Sequence, residues 1–515
     1  VILGIGVARR AAALLRHPQD AEGAPARTSL LGRAHTLWAA HVGVPALVHA
    51  HQAAGGWGFL SLPTRLEALL IFIYVALNFI WSCTNYELFD DNLFWPGDRR
   101  TQLARYIADR TGIMSFYNLP LLWVLAGRND VLLWLTGWSY ASASLFHRWV
   151  ARVATLQAIV HSAAYTWLEK DELAASFKER YWATGVFATV TMALLLPLSI
   201  RPLREKAYEA FLLLHIALAL PTLVLLFYHV DIFGTDYNGY LWACVALWAF
   251  DRALRLARIA LLSRRSNAVI QDGPLVRLTV AAPAALKPHP GAYYFLYRPR
   301  SLAPWQNHPF TLAAWKPTPK GVELTFLFRK RGRSTRALAL GAPTLLLEGP
   351  YGARHHLAGF DRVLLVAGGS GVSAILPYAG ELERATVVWA VRTHDFAADV
   401  LAHELVGRAA DVYISGESGW ASNAVPKEGD SKEKDADAAS GSSEAHAFHA
   451  GRPDVGAVLA AEVAALVGAQ RLAVLGCGPP GMMDDLRAAV ARSYGTGEGQ
   501  VAAASLAYFE DAFQW

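Results

Sequence analysis

Long apolar runs fill the first half of the chain, and the second half alternates short apolar and polar stretches. Six runs approach the ~20 residues that a helix needs to cross a ~30 Å hydrocarbon core. They cover residues 67–86, 112–126, 140–167, 182–200, 207–230 and 239–260, the second being the shortest. Residues 1–15 read as the inner end of one more apolar helix, followed by Arg9, Arg10 and Arg16 and a Pro/Gly/Ala-rich stretch. Residues 35–52 are apolar but hold four histidines, which favours an interfacial or cytoplasmic helix over a span. From 268 to about 349, alternating runs such as 275–280 and 322–328 predict strands of a small barrel or sandwich. Beyond Arg362 the order is strand, Gly-rich turn, helix, strand, the pattern of a parallel α/β unit. Residues 417–450 are rich in Ser, Lys, Glu, Asp and Ala and predict a disordered insertion in that unit.

The expected architecture is therefore a membrane α-helical bundle, a β-barrel domain and an α/β Rossmann-like domain. Domain boundaries are expected at 1–66 for the N-terminal segment, 67–260 for six membrane helices, 261–358 for the barrel and 359–515 for the α/β domain. Charge sets the orientation: Arg201, Arg204 and Lys206 follow the fourth run, and Arg252, Arg255, Arg258, Arg264 and Arg265 mark the exit of the sixth. Both clusters belong on the cytoplasmic side. Arg99, Arg100, Arg105 and Arg110 ahead of the second run fit less well. Glu87, Asp90, Asp91, Asp98 and Asp109 partly offset them.

Composition agrees with a membrane protein carrying a soluble portion. Of 515 residues, 54% are hydrophobic and 17% charged, below the ~25% charged of soluble proteins. The net charge of +5 calls for no nucleic-acid partner. Cys83, Cys244 and Cys477 suggest no disulfide framework. No Asn-x-Ser/Thr acceptor occurs.

Histidine placement adds chemistry. His147 and His161 lie in the third run, His215 and His229 in the fifth, and each pair is 14 residues apart. Fourteen steps of 100° fall about 40° short of four turns, so each pair shares a helix face with its members ~21 Å apart along the axis. The two runs point the same way, which sets His147 level with His215 on the inner side and His161 level with His229 on the outer side. A single membrane histidine is more often a packing hydrogen bonder, but two matched pairs in register make coincidence improbable. Zinc would require four ligands, and each level offers two. Two axial imidazoles suit a six-coordinate haem, so two b-type haems are expected.

In the soluble half, His308-Pro309-Phe310-Thr311 follows aromatics and prolines, and alone is a weak signal. The turn 328–336 holds Gly332, Ser334 and Thr335 among arginines, which could hold a pyrophosphate or simply be a solvated basic loop. Residues 363–373 run from a buried strand into Gly368-Gly369-Ser370-Gly371 and a helix, so phosphate can approach bare backbone at the helix start. A second strand ends at Arg392, placed either to meet the 2′-phosphate of NADPH or to sit on the surface. A third leads into Cys477-Gly478-Pro479.

As a set these residues resemble a ferredoxin-NADP reductase-type module fused to a ferric reductase-type membrane domain, most like the fungal ferric/cupric metalloreductases. The same pattern is carried by Pro63-Thr64-Arg65, Asp109-Arg110-Thr111-Gly112, Gly127-Arg128-Asn129, residues 136–140 and 147–152, and Gly349-Pro350-Tyr351-Gly352. The resemblance spans nearly all the chain except the first sixty residues and the insertion. It implies FAD contacts at His308, Pro309, Phe310 and Thr311, nucleotide phosphate contacts at Gly368 to Gly371, nicotinamide near Cys477, Gly478 and Pro479, and Trp515 near the flavin ring. Relatives place the hydroxyl closer to the glycine than Ser334 or Thr335 stands to Gly332, so the pyrophosphate contact stays open between those two. The implied activity takes electrons from cytosolic NADPH through FAD and two haems to Fe(III) or Cu(II), as chelates or siderophores, across a plasma membrane. Iron-uptake proteins would be its partners. An NADPH oxidase that makes superoxide is the rival within this architecture. A proton- or metal-conducting transporter is the rival outside it.

Overall fold

The computed structural model describes residues 30–48, 62–263, 268–271, 273, 275–301, 303–330, 335–336, 338, 344–416, 446–495, 497 and 499–511. The described residues divide into two compact units, 62–255 and 30–48 with 256–511. The apolar residues at 256–260, expected as the end of the last span, thus group with the soluble half.

The first unit is helical. Its long helices are α2 (Arg65–Cys83), α3 (Arg99–Val124), α5 (Tyr140–Leu168), α6 (Arg180–Leu195), α7 (Tyr208–His229) and α8 (Asn238–Leu262, which continues into the second unit), with a short α4 (Val131–Thr136). Among the described residues, three stretches are long and apolar enough on their own to cross a membrane: Arg65–Cys83, Arg180–Ser199 and Tyr208–His229. The expected second span at 112–126 overlaps the C-terminal half of a 26-residue helix that ends at Val124. It starts at Arg99 because the Asp98 carboxylate accepts from the Arg100 and Thr101 amides. A capping box starts α2, where Thr64 and Glu67 satisfy each other's backbone amides. Small residues let the helices approach closely: Ala154 and Ala188 are buried with Phe116, Leu223 and Leu241. The Ser115 hydroxyl donates to the Ala154 carbonyl at 2.9 Å, tying α3 to α5.

The second unit holds two sheets. The first is antiparallel in the order β1-β2-β5-β4-β3-β6, with strands Ala268–Gln271, Val276–Ala282, Tyr293–Tyr297, Asn307–Thr318, Gly321–Phe328 and Leu346–Tyr351 numbered along the chain. Strict alternation of buried positions in β2 (Val276, Leu278, Val280, Ala282) puts one face into a core with Leu312, Leu324 and Phe326. The end of α8 packs here. Ile259 lies against Phe295 and Tyr351, and Arg258 donates to the Pro350 carbonyl at 2.8 Å.

The second sheet is wholly parallel, in the order β10-β9-β8-β7-β11-β12. Its strands are β7 (Arg362–Gly368), β8 (Ala385–Val391), β9 (Asp411–Ile414), β10 (Ala447–Ala450), β11 (Leu472–Cys477) and β12 (Leu506–Glu510). Near-continuous burial of Val363 to Ala367 and of Leu472 to Cys477 is what central parallel strands covered on both faces require. Helices α9 (Val372–Glu381), α10 (His394–His403), α11 (Val455–Ala464) and α12 (Pro480–Ser493) complete the layers.

One boundary is corrected. The insertion expected to run to 450 ends earlier, because residues 447–450 form β10 beside β9. Phe448 packs on the sheet core, and the His449 ring stacks on Tyr413 with its Nε2 3.1 Å from the Asp411 carboxylate. Residues 417–445, like residues 1–29, lie outside the described residues.

Candidate functional site

In the helical unit, α5 and α7 carry the four histidines, and the structure brings each expected pair together. The rings of His147 and His215 have centroids 6.3 Å apart, and those of His161 and His229 lie 6.0 Å apart. Backbone oxygens fix three of the rings. Nδ1 of His147 meets the Leu122 carbonyl at 2.9 Å, that of His161 the Ala108 carbonyl at 2.8 Å, and that of His229 the Tyr181 carbonyl at 2.8 Å. A carbonyl can only accept, so the proton sits on Nδ1 and Nε2 keeps its lone pair. Nδ1 of His215 lies 3.2 Å from the Ser199 hydroxyl. Such a bond to a backbone oxygen is what a metal-binding imidazole makes with its other nitrogen.

The spacing fits two nitrogens on one iron. A metal-bound imidazole nitrogen sits about 2.0–2.1 Å from its metal, so two imidazoles sharing one ion would have ring centres roughly 6 Å apart. Among the described residues no group of three or more His, Cys, Asp or Glu could hold a metal ion.

Two glycines make room for the His161/His229 pair. A Cβ on Gly112 would stand 2.5 Å from Nδ1 of His161, and one on Gly185 2.4 Å from Nδ1 of His229. Sequence reasoning quoted Gly112 only within a motif and missed Gly185. A glycine inside an apolar helix was the available signal.

In the antiparallel domain, His308, Pro309, Phe310 and Thr311 all lie on β4, paired with β3. His308 and Phe310 line a small cleft with Leu296, Arg298, Gln306 and Leu338. Burial and then the nearby Arg298 charge lower the His308 pKa, which keeps the ring neutral. Arg298 and Gln306 were not foreseen. Gly349 and Gly352 belong to the same domain. A Cβ at Gly352, whose φ is +90°, would reach 2.2 Å from the Gly291 carbonyl oxygen, and one at Gly349 would strike the Tyr294 ring at 2.5 Å. Thr335 is described, but Gly332, Ser334 and Trp515 lie outside the described residues.

In the parallel sheet, strand order reverses between β7 and β11, so a crevice opens at the carboxyl ends of those two strands. Gly368, Gly369, Ser370 and Gly371 close β7, and Cys477, Gly478 and Pro479 close β11. The two turns touch. A Cβ on Gly368 would lie 2.2 Å from Pro479 Cδ, and one on Gly371 2.3 Å from the Cys477 carbonyl oxygen. Arg392 follows β8, its side chain exposed and its carbonyl accepting from the Gly416 amide at 3.0 Å. The Cys477 thiol is buried, and its pKa is pushed up by burial first and then by Asp511 and Glu510.

Three family models match. Residues 111–226 match the ferric reductase like transmembrane component, 261–355 an FAD-binding domain, and 360–491 the ferric reductase NAD binding domain. Over 335 residues the chain is 33% identical to ferric reductase transmembrane component 3 of Saccharomyces cerevisiae, covering 62% of this chain and 46% of that protein. It is 29% identical over 511 residues to a probable ferric reductase transmembrane component of Candida albicans, covering 90% and 75%. It is also 29% identical over 514 residues to ferric/cupric reductase transmembrane component 1 of that yeast, covering 91% and 66%. The chain thus spans about half the length of the first of these relatives. A helical domain with two imidazole pairs, followed by regions that match FAD-binding and NAD-binding domains, describes an integral membrane protein with a nucleotide-binding half. Residues 111–226, 261–355 and 360–491 are thus similar, in that order, to the membrane, FAD-binding and NAD-binding parts of ferric reductases.

Proposed function

We propose that this chain is a transmembrane reductase that takes electrons from cytosolic NADPH and delivers them to Fe(III) or Cu(II) chelates on the opposite side of the membrane. The observation that carries this reading is the pair of cross-helix imidazole couples, 6.3 and 6.0 Å between centroids, in a chain that continues into FAD- and NAD-binding domains. When bound, FAD turns the two-electron donor into single electrons and two b-type haems pass them on singly.

The chain's own residues bind and orient. His147 and His215 would hold the inner haem and His161 and His229 the outer one. His308, Pro309, Phe310 and Thr311, with Arg298, contact the flavin. Gly332 with Ser334 or Thr335, and Gly349 and Gly352, border its pyrophosphate. Gly368, Gly369, Ser370 and Gly371 receive the dinucleotide phosphates at the start of α9, where unpaired amides favour an anion. Cys477, Gly478 and Pro479 border the nicotinamide, and Arg392 meets the 2′-phosphate. Two imidazoles at each level are a ligand set that would suit a haem passing electrons more than one binding oxygen.

The finer architecture in this reading is six crossings made by α2, α3, α5, α6, α7 and α8, a first sheet closing as a small barrel, and nucleotide domains on the cytoplasmic side of the plasma membrane. Iron-uptake proteins would take the product. The test uses purified protein in sealed vesicles under anaerobic conditions, with NADPH on one side and a ferric chelate on the other. Ferrous product on the far side supports the reductase. Electron flow only after oxygen is admitted, with superoxide formed, would replace it with an oxidase.

A further inference from the structure

Residues 30–48 lie outside all three matched regions, yet they fold onto the parallel-sheet domain. Helix α1 (Leu30–Trp38) leads into a π-helical turn, Ala39–Gly43. Ala39 is 8% exposed and shares a core with Leu364, Val474, Leu486 and Val490. Ala40 and Val44 pack against the same core. Two polar contacts fix the register. The Thr36 hydroxyl accepts from the Ala503 amide at 3.2 Å, and the Val44 carbonyl accepts from Nη1 of Arg487 at 2.9 Å.

Arg487 stands on α12 and reaches two ways. Its Nη2 donates to the Glu510 carboxylate at the end of β12, and its guanidinium lies over the Tyr508 ring at 5.3 Å. The Tyr508 hydroxyl donates to the same carboxylate at 2.6 Å. Both members of the ion pair are nearly buried, so their geometry matters more than that of a surface pair. The next residue, Asp511, donates its amide to the Gly476 carbonyl at 3.0 Å, immediately before Cys477. One guanidinium therefore links the N-terminal segment to the corner where β11, β12 and α12 meet.

We propose that residues 30–44 are a docking strap for the nucleotide domain, with Arg487 as the positioning residue through which the strap steadies the corner beside Cys477. The assignment rests on the reading of that corner as the nicotinamide end. In sequence the strap precedes the first described span by about twenty residues. NADPH use then depends on a segment that belongs to neither the FAD nor the NAD module.

The test uses the full chain with Ala39→Asp, which sets a charge against the apolar core, and Thr36→Ala as a milder second variant. Hydrogen exchange across residues 30–44 reports docking, and NADPH-driven FAD reduction reports function. Release of the strap should speed exchange there and raise the NADPH KM about fivefold, the factor that losing one hydrogen bond gives, with little change in kcat. Arg487→Lys keeps a charge for Glu510 and should restore much of what Arg487→Ala loses. Faster exchange with unchanged KM in both strap variants would overturn the proposal, as would wild-type exchange at 30–44 as fast as in an unfolded chain. Wild-type protein that does not oxidise NADPH at all would instead sink the functional reading, while the exchange result would still report docking.

Discussion

Gly112 and His161 meet so closely that a Cβ on the glycine would stand 2.5 Å from the imidazole Nδ1, the atom held by the Ala108 carbonyl. Gly185 stands in the same relation to His229 and the Tyr181 carbonyl. Either substitution to alanine must push an outer ring out of line. Gly112→Ala and Gly185→Ala should each lower haem content, read by pyridine haemochrome, from about two per chain to about one, because ligand geometry tolerates little displacement. The remaining haem should keep the spectrum of the inner pair.

Arg392 lies exposed just past β8, and its carbonyl accepts from the Gly416 amide. Removing a charge-assisted contact to a phosphate costs ~1.5–3 kcal/mol. Arg392→Ala should therefore raise the NADPH KM about tenfold or more while leaving NADH unchanged. Equal effects on both nucleotides would show that the side chain does not read the 2′-phosphate.

These two predictions differ in how far the sequence alone foretells them. Arg392 is legible because a strand end beside a Gly-rich turn is a local pattern. The histidine pairs are legible because a 14-residue spacing recurs on two parallel helices. Gly185 is not, since the need for it arises from an imidazole on another helix. The start of α3 at Arg99 was hidden by Arg99, Arg100, Arg105, Asp109 and Arg110, which break a hydropathy run without breaking a helix. Strand β10 was hidden by the polar residues before it, which outweigh four strand residues in any composition window. The docking of residues 30–48 depends on partners more than 440 positions away, so no local pattern announces it.

Asp251 is buried on α8 and accepts from the Arg128 and Asn129 amides at 3.0 and 2.9 Å, with Arg252 at 2.7 Å. Asp251→Ala leaves those amides and Arg252 without their acceptor. Arg252 is partly exposed, so the loss is mainly that of a buried acceptor, about 1–3 kcal/mol, and thermal unfolding in detergent should shift down by a few degrees. Asp251→Asn keeps an acceptor and should lose less.

Cys477 is buried beside Asp511 and Glu510, and both burial and those charges hold its thiol protonated. The thiolate is the reactive form, and a raised pKa keeps it scarce as pH increases. Iodoacetamide at pH 8 should leave Cys477 unmodified in folded protein and label it after denaturation. Rapid labelling in the folded state would contradict the burial.

The most direct test of the two stacked haem levels is a reduced-minus-oxidised spectrum, quantified per chain, for wild type, His147→Ala and His161→Ala. The account predicts two b-type haems per wild-type chain that NADPH reduces and anaerobic ferric chelate reoxidises. It further predicts the loss of one haem in each variant, with NADPH reducing the inner haem that remains in His161→Ala. A wild-type chain without haem, or variants that keep both, would contradict it.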